Sequence, residues 1–198
     1  MNHRLLWAAA CLAALAGCAS GPTVRRMDVN EVRDLSGRWN DTDSRLVAEE
    51  MIADSLSRPW LVRASAGGRQ PVVIVQSVRN RSMEHINTDT FVEDLQRALI
   101  NSGRVQFVAS RSERGQLRQE RFDQDANASE ETRKAQGQET GADYSLNGVI
   151  NAVQDQDGGE VVMLYQVNLK LIDLKTNQIV WDGEKKIKKD IQRPAASW

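Results

Sequence analysis

Two places in this sequence bring together residues that could do chemistry. The first is Cys18, which stands directly after the small residues Ala16 and Gly17. The second is the polar stretch Asn80, Arg81, Ser82, Glu84 and His85, which follows a β-branched run. Ligand sites of α/β sheets often lie beyond the C-terminal ends of strands, so that stretch is the best catalytic geography in the chain. A serine, a histidine and an acid could supply part of a nucleophilic site, but no G-x-S-x-G elbow surrounds Ser82. Binding a protein partner is the other functional use of the same residues, and a satisfied surface loop is the structural one. Gly67-Gly68 precedes the strand instead of following it, and neither a G-x-G-x-x-G nor a G-K-[ST] motif occurs, so phosphate binding has no support.

Cys18 has a more specific context. Arg4 and His3 precede the apolar run 5–15, and small residues follow, which is the three-part layout of an export signal. About eleven apolar residues are too few for a helix that needs about 20 to cross a bilayer. Leu15-Ala16-Gly17-Cys18 resembles the lipobox of bacterial lipoprotein signals. That resemblance implies cleavage before Cys18, a diacylglycerol on its thiol and usually an acylated amine. Each buried methylene contributes about 0.8 kcal/mol, so two or three acyl chains hold a protein on a membrane essentially permanently. Ala19 stands where an Asp commonly signals retention at the inner membrane, which favours the outer membrane.

Removing 17 signal residues leaves 181, with 25 basic and 27 acidic side chains. The near balance gives no reason to expect nucleic acid as a partner. Cys11 leaves with the signal and Cys18 carries lipid, so the mature domain has no disulfide. His85 is its only histidine, which rules out a His/Cys metal cluster, and nothing points to a metal or other cofactor. The organisation expected is a signal at 1–17, a lipidated tether at 18–41 and one globular periplasmic domain at 42–198. A fully extended tether of 23 residues reaches about 76 Å.

The elements that must position these residues follow from hydrophobic spacing. A helix is expected at 44–57, capped by Thr42 or Asp43 and carrying Val47, Ala48, Met51, Ile52 and Leu56 on one stripe. Pro59 stops it, and Trp60 and Leu61 lead back to the core. Residues 72–78 read as a strand apolar on both faces. A helix at 88–102 ends at Gly103, and a strand follows at 105–108, which together make a parallel βαβ crossover. Two polar helices are expected at 111–122 and 130–139, the second capped by Ser129 and separated from the first by a loop. Strands at 144–153 and 161–174 flank a turn containing Gly158-Gly159. After a further turn come Ile179-Val180-Trp181 and an alternating tail through Lys185 and Lys189. That basic tail fits either an edge strand guarded by charge or a lipid- or partner-binding run. Trp181 reads as a core or sheet-face aromatic, and any exposed one of Trp39, Trp60 and Trp198 as a partner anchor. The fold class is α/β in the α+β range, a single domain with a mixed sheet, a βαβ unit, an antiparallel meander and helices packed on the sheet.

Several stretches, taken in order, resemble outer-membrane lipoprotein activators of penicillin-binding proteins, the LpoB-type family. They are 72–77 with Val78-Arg79-Asn80-Arg81-Ser82, then 91–99 with Gly103, then Thr140-Gly141-Ala142-Asp143-Tyr144. The last are 169–174, Thr176 and Ile179-Val180-Trp181-Asp182-Gly183. The resemblance covers roughly 68–187 plus the lipobox. It implies a non-enzymatic protein that docks on a bifunctional peptidoglycan synthase and raises its activity. The polar loop 80–85 and the charged excursion 111–139 are the expected docking surfaces. The tether departs from the family, whose best-known members carry a long proline-rich one, whereas 19–41 holds one proline. The general fold also resembles domains of curli-secretion-channel lipoproteins. An oligomeric component of an envelope assembly or secretion system is therefore the alternative function, and a lipoprotein hydrolase a third.

Overall fold

The computed structural model describes residues 24–132, 137–157 and 159–192. The signal at 1–17, Cys18 and Trp198 lie outside the described residues. The chain divides into a short N-terminal unit ending at Val32 and a second unit from Arg33 onward, which carries the whole fold. In the first, an exposed turn is closed by Asn30 N donating to the Asp28 carboxylate at 2.8 Å.

Helix α1 spans Asp41–Ser57 and starts one residue before the expected cap. Asn40 is the cap. Its side chain accepts from Asp43 N at 3.0 Å, while the Asp43 carboxylate accepts from Asn40 N at 3.0 Å. Two orphan donors are thereby satisfied reciprocally, and Asp43 serves as the third helical residue instead of the cap. Pro59 holds Arg58 extended, and a new short helix, α2, opens on that proline as Pro59–Ala64. Within it Trp60 and Leu61 are buried, and the Trp60 indole donates to the Ser55 carbonyl at 2.7 Å.

Strand β1 (Val72–Asn80), helix α3 (Thr88–Asn101) and strand β2 (Gln106–Phe107) form the parallel crossover. Helix α4 (Arg111–Asn127) follows, and then β3 (Tyr144–Asp157), β4 (Glu160–Asp173) and β5 (Ile179–Gln192). The sheet order is β2-β1-β3-β4-β5, with β1 parallel to β3 and the last three strands antiparallel. This is the mixed sheet with a βαβ unit and a meander that the hydrophobic spacing predicts. The third meander strand is one element of 14 residues, so the short 179–181 run and the basic tail are a single strand.

The expected pair of helices between β2 and β3 is corrected. α4 runs on through the expected loop to Asn127, and no helix occurs in the described residues of 130–139. Side-chain bonds from Gln124 to Glu120 and from Asn127 to Asp123, both 2.9 Å at i, i+4 spacing, carry the helix across. Ser129 caps no helix among the described residues; its carbonyl accepts from Thr132 N at 3.1 Å in a turn.

One sheet face is packed. Val73, Val75, Leu146, Ile150, Tyr165, Val167 and Leu169 lie there beneath α1 and α3, which contribute Val47, Met51, Phe91 and Leu95. Full burial of such side chains stabilises by about 1.5–3 kcal/mol each, before the ordering entropy is set against it. The opposite face of the meander alternates with it and is only half-buried or exposed at Val149, Val153, Val162 and Leu164.

Candidate functional site

The loop after β1 is built by its own side chains. Asn80 Nδ2 donates to the Glu84 carbonyl at 2.7 Å, and Asn80 Oδ1 accepts from Ser82 N at 2.9 Å and Ser82 Oγ at 2.7 Å. Ser82 Oγ in turn accepts from Glu84 N at 3.2 Å. Short polar side chains that bond their own backbone two residues on are the usual means of closing such turns. Arg81 N donates to the Ile150 carbonyl at 2.8 Å, which ties the loop to β3.

Glu84 reaches farther. Its carboxylate accepts from the Tyr165 hydroxyl at 2.7 Å and from Trp39 N at 3.2 Å. The same hydroxyl lies 3.0 Å from the Gly37 carbonyl. Burial first, and the Glu84 carboxylate second, push the Tyr165 phenol far above its ordinary value, so it remains a donor. Trp39 stands edge-on to Phe91 and Tyr165 at 5.9 and 5.6 Å, an arrangement aromatic pairs favour.

Residues 34–40 thus lie as a strap across this end of the core. Lys189 of β5 holds them, with Nζ 2.7 Å from Asp34, 2.6 Å from Asp43 and 3.2 Å from the Arg38 carbonyl. Burial opposes the charge on Lys189, but its two carboxylate partners outweigh that and raise its pKa, while the Lys189 hydrogen bond lowers that of Asp34.

The five residues singled out from the sequence therefore divide. Asn80, Ser82 and Glu84 turn inward and shape the loop, whereas Arg81 and His85 are exposed. Between those two stands Met83, 95% exposed, which the sequence reading missed. Its signal was an apolar side chain at odd-numbered alternation with Arg81 and His85 in an otherwise polar loop. Two hydrogen-bonding heads flanking a flexible thioether suit recognition of a protein surface. Ser82 Oγ is committed to turn closure, and its hydrogen bonds go to Asn80 and Glu84, not to His85. Among the described residues no group of three or more His, Cys, Asp or Glu side chains could hold a metal ion.

The other expected surfaces are equally specific. α4 buries none of its residues and leaves Leu117 and Phe122 exposed; Arg118 pairs with both Glu139 oxygens at 2.8 and 2.7 Å. β5 is an edge strand, and its lysines are partly used internally, Lys185 with Glu50 and Lys189 with the strap. Trp181 is buried, its indole donating to Asp54 at 2.8 Å. Trp60 is also buried, against Tyr144.

Comparison with solved structures finds the LpoB C-terminal domain from Salmonella enterica, 20% identical, covering 76% of this chain and 99% of that one at a TM-score of 0.40. The Escherichia coli LpoB C-terminal domain is also 20% identical, with coverage of 74% and 99% and a TM-score of 0.43. Lipoprotein GNA1162 from Neisseria meningitidis is 15% identical, covering 61% and 83% at a TM-score of 0.40. A search of curated proteins returns no match. The family model described as peptidoglycan-synthase activator LpoB matches residues 43–187, most of the chain. On that match, the chain belongs to the peptidoglycan-synthase activator LpoB family.

Proposed function

We propose that this protein is an outer-membrane lipoprotein, anchored through acylated Cys18, whose periplasmic domain docks on a bifunctional penicillin-binding protein and raises its peptidoglycan synthesis. The family match across 43–187 carries the reading and ranks it above the secretion-assembly alternative. Among the described residues no helix is long and apolar enough to cross a membrane; the lipobox resemblance of Leu15-Ala16-Gly17-Cys18 supports attachment through lipid at Cys18. Arg81, Met83 and His85 form the docking tip, and Asn80, Ser82 and Glu84 hold them in place. The domain activates by binding the active conformation of the synthase more tightly, since a ligand shifts an equilibrium only by its differential affinity.

The test uses the full chain in detergent micelles with a purified bifunctional penicillin-binding protein. Binding accompanied by faster glycan polymerisation is the expected result. Saturating binding without stimulation overturns the activator role, and no binding overturns the partner. Met83→Asp combined with Arg81→Glu is expected to weaken binding at least tenfold while leaving thermal stability unchanged. For the anchor, Cys18→Ser should abolish the mass added by acylation and release the protein from the membrane fraction.

A further inference from the structure

The β1–β2 ladder is short. It pairs Val72 with Gln106 and Val73 with Phe107, and ends where Val108 N donates to the Val73 carbonyl at 3.3 Å. Odd-numbered β1 residues face β2, as the Pro71 and Val73 carbonyls show, so the next in line is Val75. Among the described residues the main chain after Phe107 makes no bond to Val75, because it diverges toward the start of α4. On its other side β1 carries a bulge, with Val75 opposite Leu146 and Val78 opposite Gly148, and Gln76 and Ser77 are exposed.

A groove of about 1040 Å³ lies along this stretch. Its floor is Ile74 to Ser77, one wall is Asp89, Glu93 and Gln96 of α3, and the other includes Arg111 and Arg114 of α4. Arg114 Nε is buried and has no hydrogen-bond partner. The β5 edge and the flank of β1 beyond the short β2 are also treated differently. β5 carries Lys185, Lys186, Lys188 and Lys189, charges of the kind that discourage strand addition. Val75-Gln76-Ser77 carries none.

We propose that this groove is a second docking site, separate from the loop tip, that takes an extended peptide segment of another protein as a strand added to β1. The Val75 main chain has no strand partner on this flank among the described residues, and an extended backbone laid in the groove supplies one in register. Side chains of an added strand alternate, and the walls dictate their chemistry: an acidic one toward Arg111 and Arg114, a basic one toward Asp89 and Glu93. The Arg114 Nε donor is available to that acidic side chain or to a peptide carbonyl. The site does not depend on the identity of the partner at Arg81, Met83 and His85.

The probe is a displayed library of random heptapeptides, selected against the full chain in detergent, with the best binder synthesised. Binding is expected to slow amide exchange at Val75, the last β1 residue before the bulge. N-methylation of alternate peptide positions should weaken it at least tenfold, and N-methylation of the positions between them should weaken it far less. Arg114→Glu, on a helix that buries no residue, should abolish binding of a peptide with Asp at the facing position and restore it when that residue is Lys. Failure to select a binder overturns the proposal. So does a binder that leaves the Val75 amide unprotected, that tolerates N-methylation everywhere, or that ignores the charge swap.

Discussion

Lys189 is charged, sits in a basic run on an edge strand, and by composition belongs in water. Its side chain is nevertheless only 9% exposed, as is that of Asp43. Removing one member of a buried ion pair leaves the other charge desolvated and unpaired, which costs about 3 kcal/mol or more. Lys189→Met is therefore expected to lower the denaturant midpoint without changing the slope, and Lys188→Met to leave both unchanged. Tyr165→Phe removes a buried hydroxyl from between the Glu84 carboxylate and the Gly37 carbonyl, an expected loss of about 1–3 kcal/mol. A midpoint unchanged by Tyr165→Phe would show that the strap is held elsewhere. At this scale the sequence was a partial guide. It placed the proposed docking residues on one loop, but could not sort inward from outward. Glu84 turns in because Trp39 and Tyr165 wait for it, 45 and 81 residues away, and no local pattern encodes that.

Elements obey local rules more closely. The stripe Val47, Ala48, Met51, Ile52 and Leu56 marks α1, and alternation along 161–173 marks β4, since each pattern matches the period of its element. The start of α1 was harder to read, because Thr42, Asp43 and Asn40 are all competent caps. The reciprocal bond with Asp43 decides for Asn40, and Asn40→Ala is expected to cost about 1 kcal/mol in thermal unfolding. α4 was misread because its last turns carry Asp123, Asp125 and Asn127, residues that favour caps and turns on their own, whereas the i, i+4 bonds Gln124–Glu120 and Asn127–Asp123 sustain the helix. The strap has its own signature in Gly37. A Cβ there would lie 1.9 Å from the Ile191 side chain, so Gly37→Ala must displace that side chain or the strap and is expected to cost about 1–3 kcal/mol. Unchanged stability, with Trp39 fluorescence also unaltered, would contradict that packing.

The whole molecule responds to pH through a few linked groups. Asp34 is held below its ordinary value of 3.8 by the Lys189 hydrogen bond, and Asp54 by those of Arg58 and Trp181. For Asp143 burial pulls upward, but Arg69 and the Val72 N–H outweigh it. Carboxylates with depressed folded pKa values contribute stability that is fully present above 3.8 and lost as pH falls through those lower values. Lys189 is raised above 10.5, so its contribution is complete below that pH and fades as pH climbs through the folded value. Stability measured by urea unfolding should form a plateau between these limits, and Lys189→Met should flatten its alkaline limb. A wild-type curve that begins to fall near neutrality would refute this assignment.

The strap also settles where the globular body takes hold of the chain. A load applied through the residues before Asp34 meets the Lys189 ion pairs and the Tyr165 hydroxyl before it can reach α1. For the anchor proposed at Cys18, the strap and the start of α1 remove the eight residues 34–41 from the 23 counted as tether in the sequence, leaving a free length of at most 15. At about 3.3 Å per residue its greatest standoff is about 50 Å, roughly two thirds of that expected. A Lys189→Met, Tyr165→Phe double variant would loosen the strap at both clasps, so residues of the last two strands set how much of this segment can serve as tether.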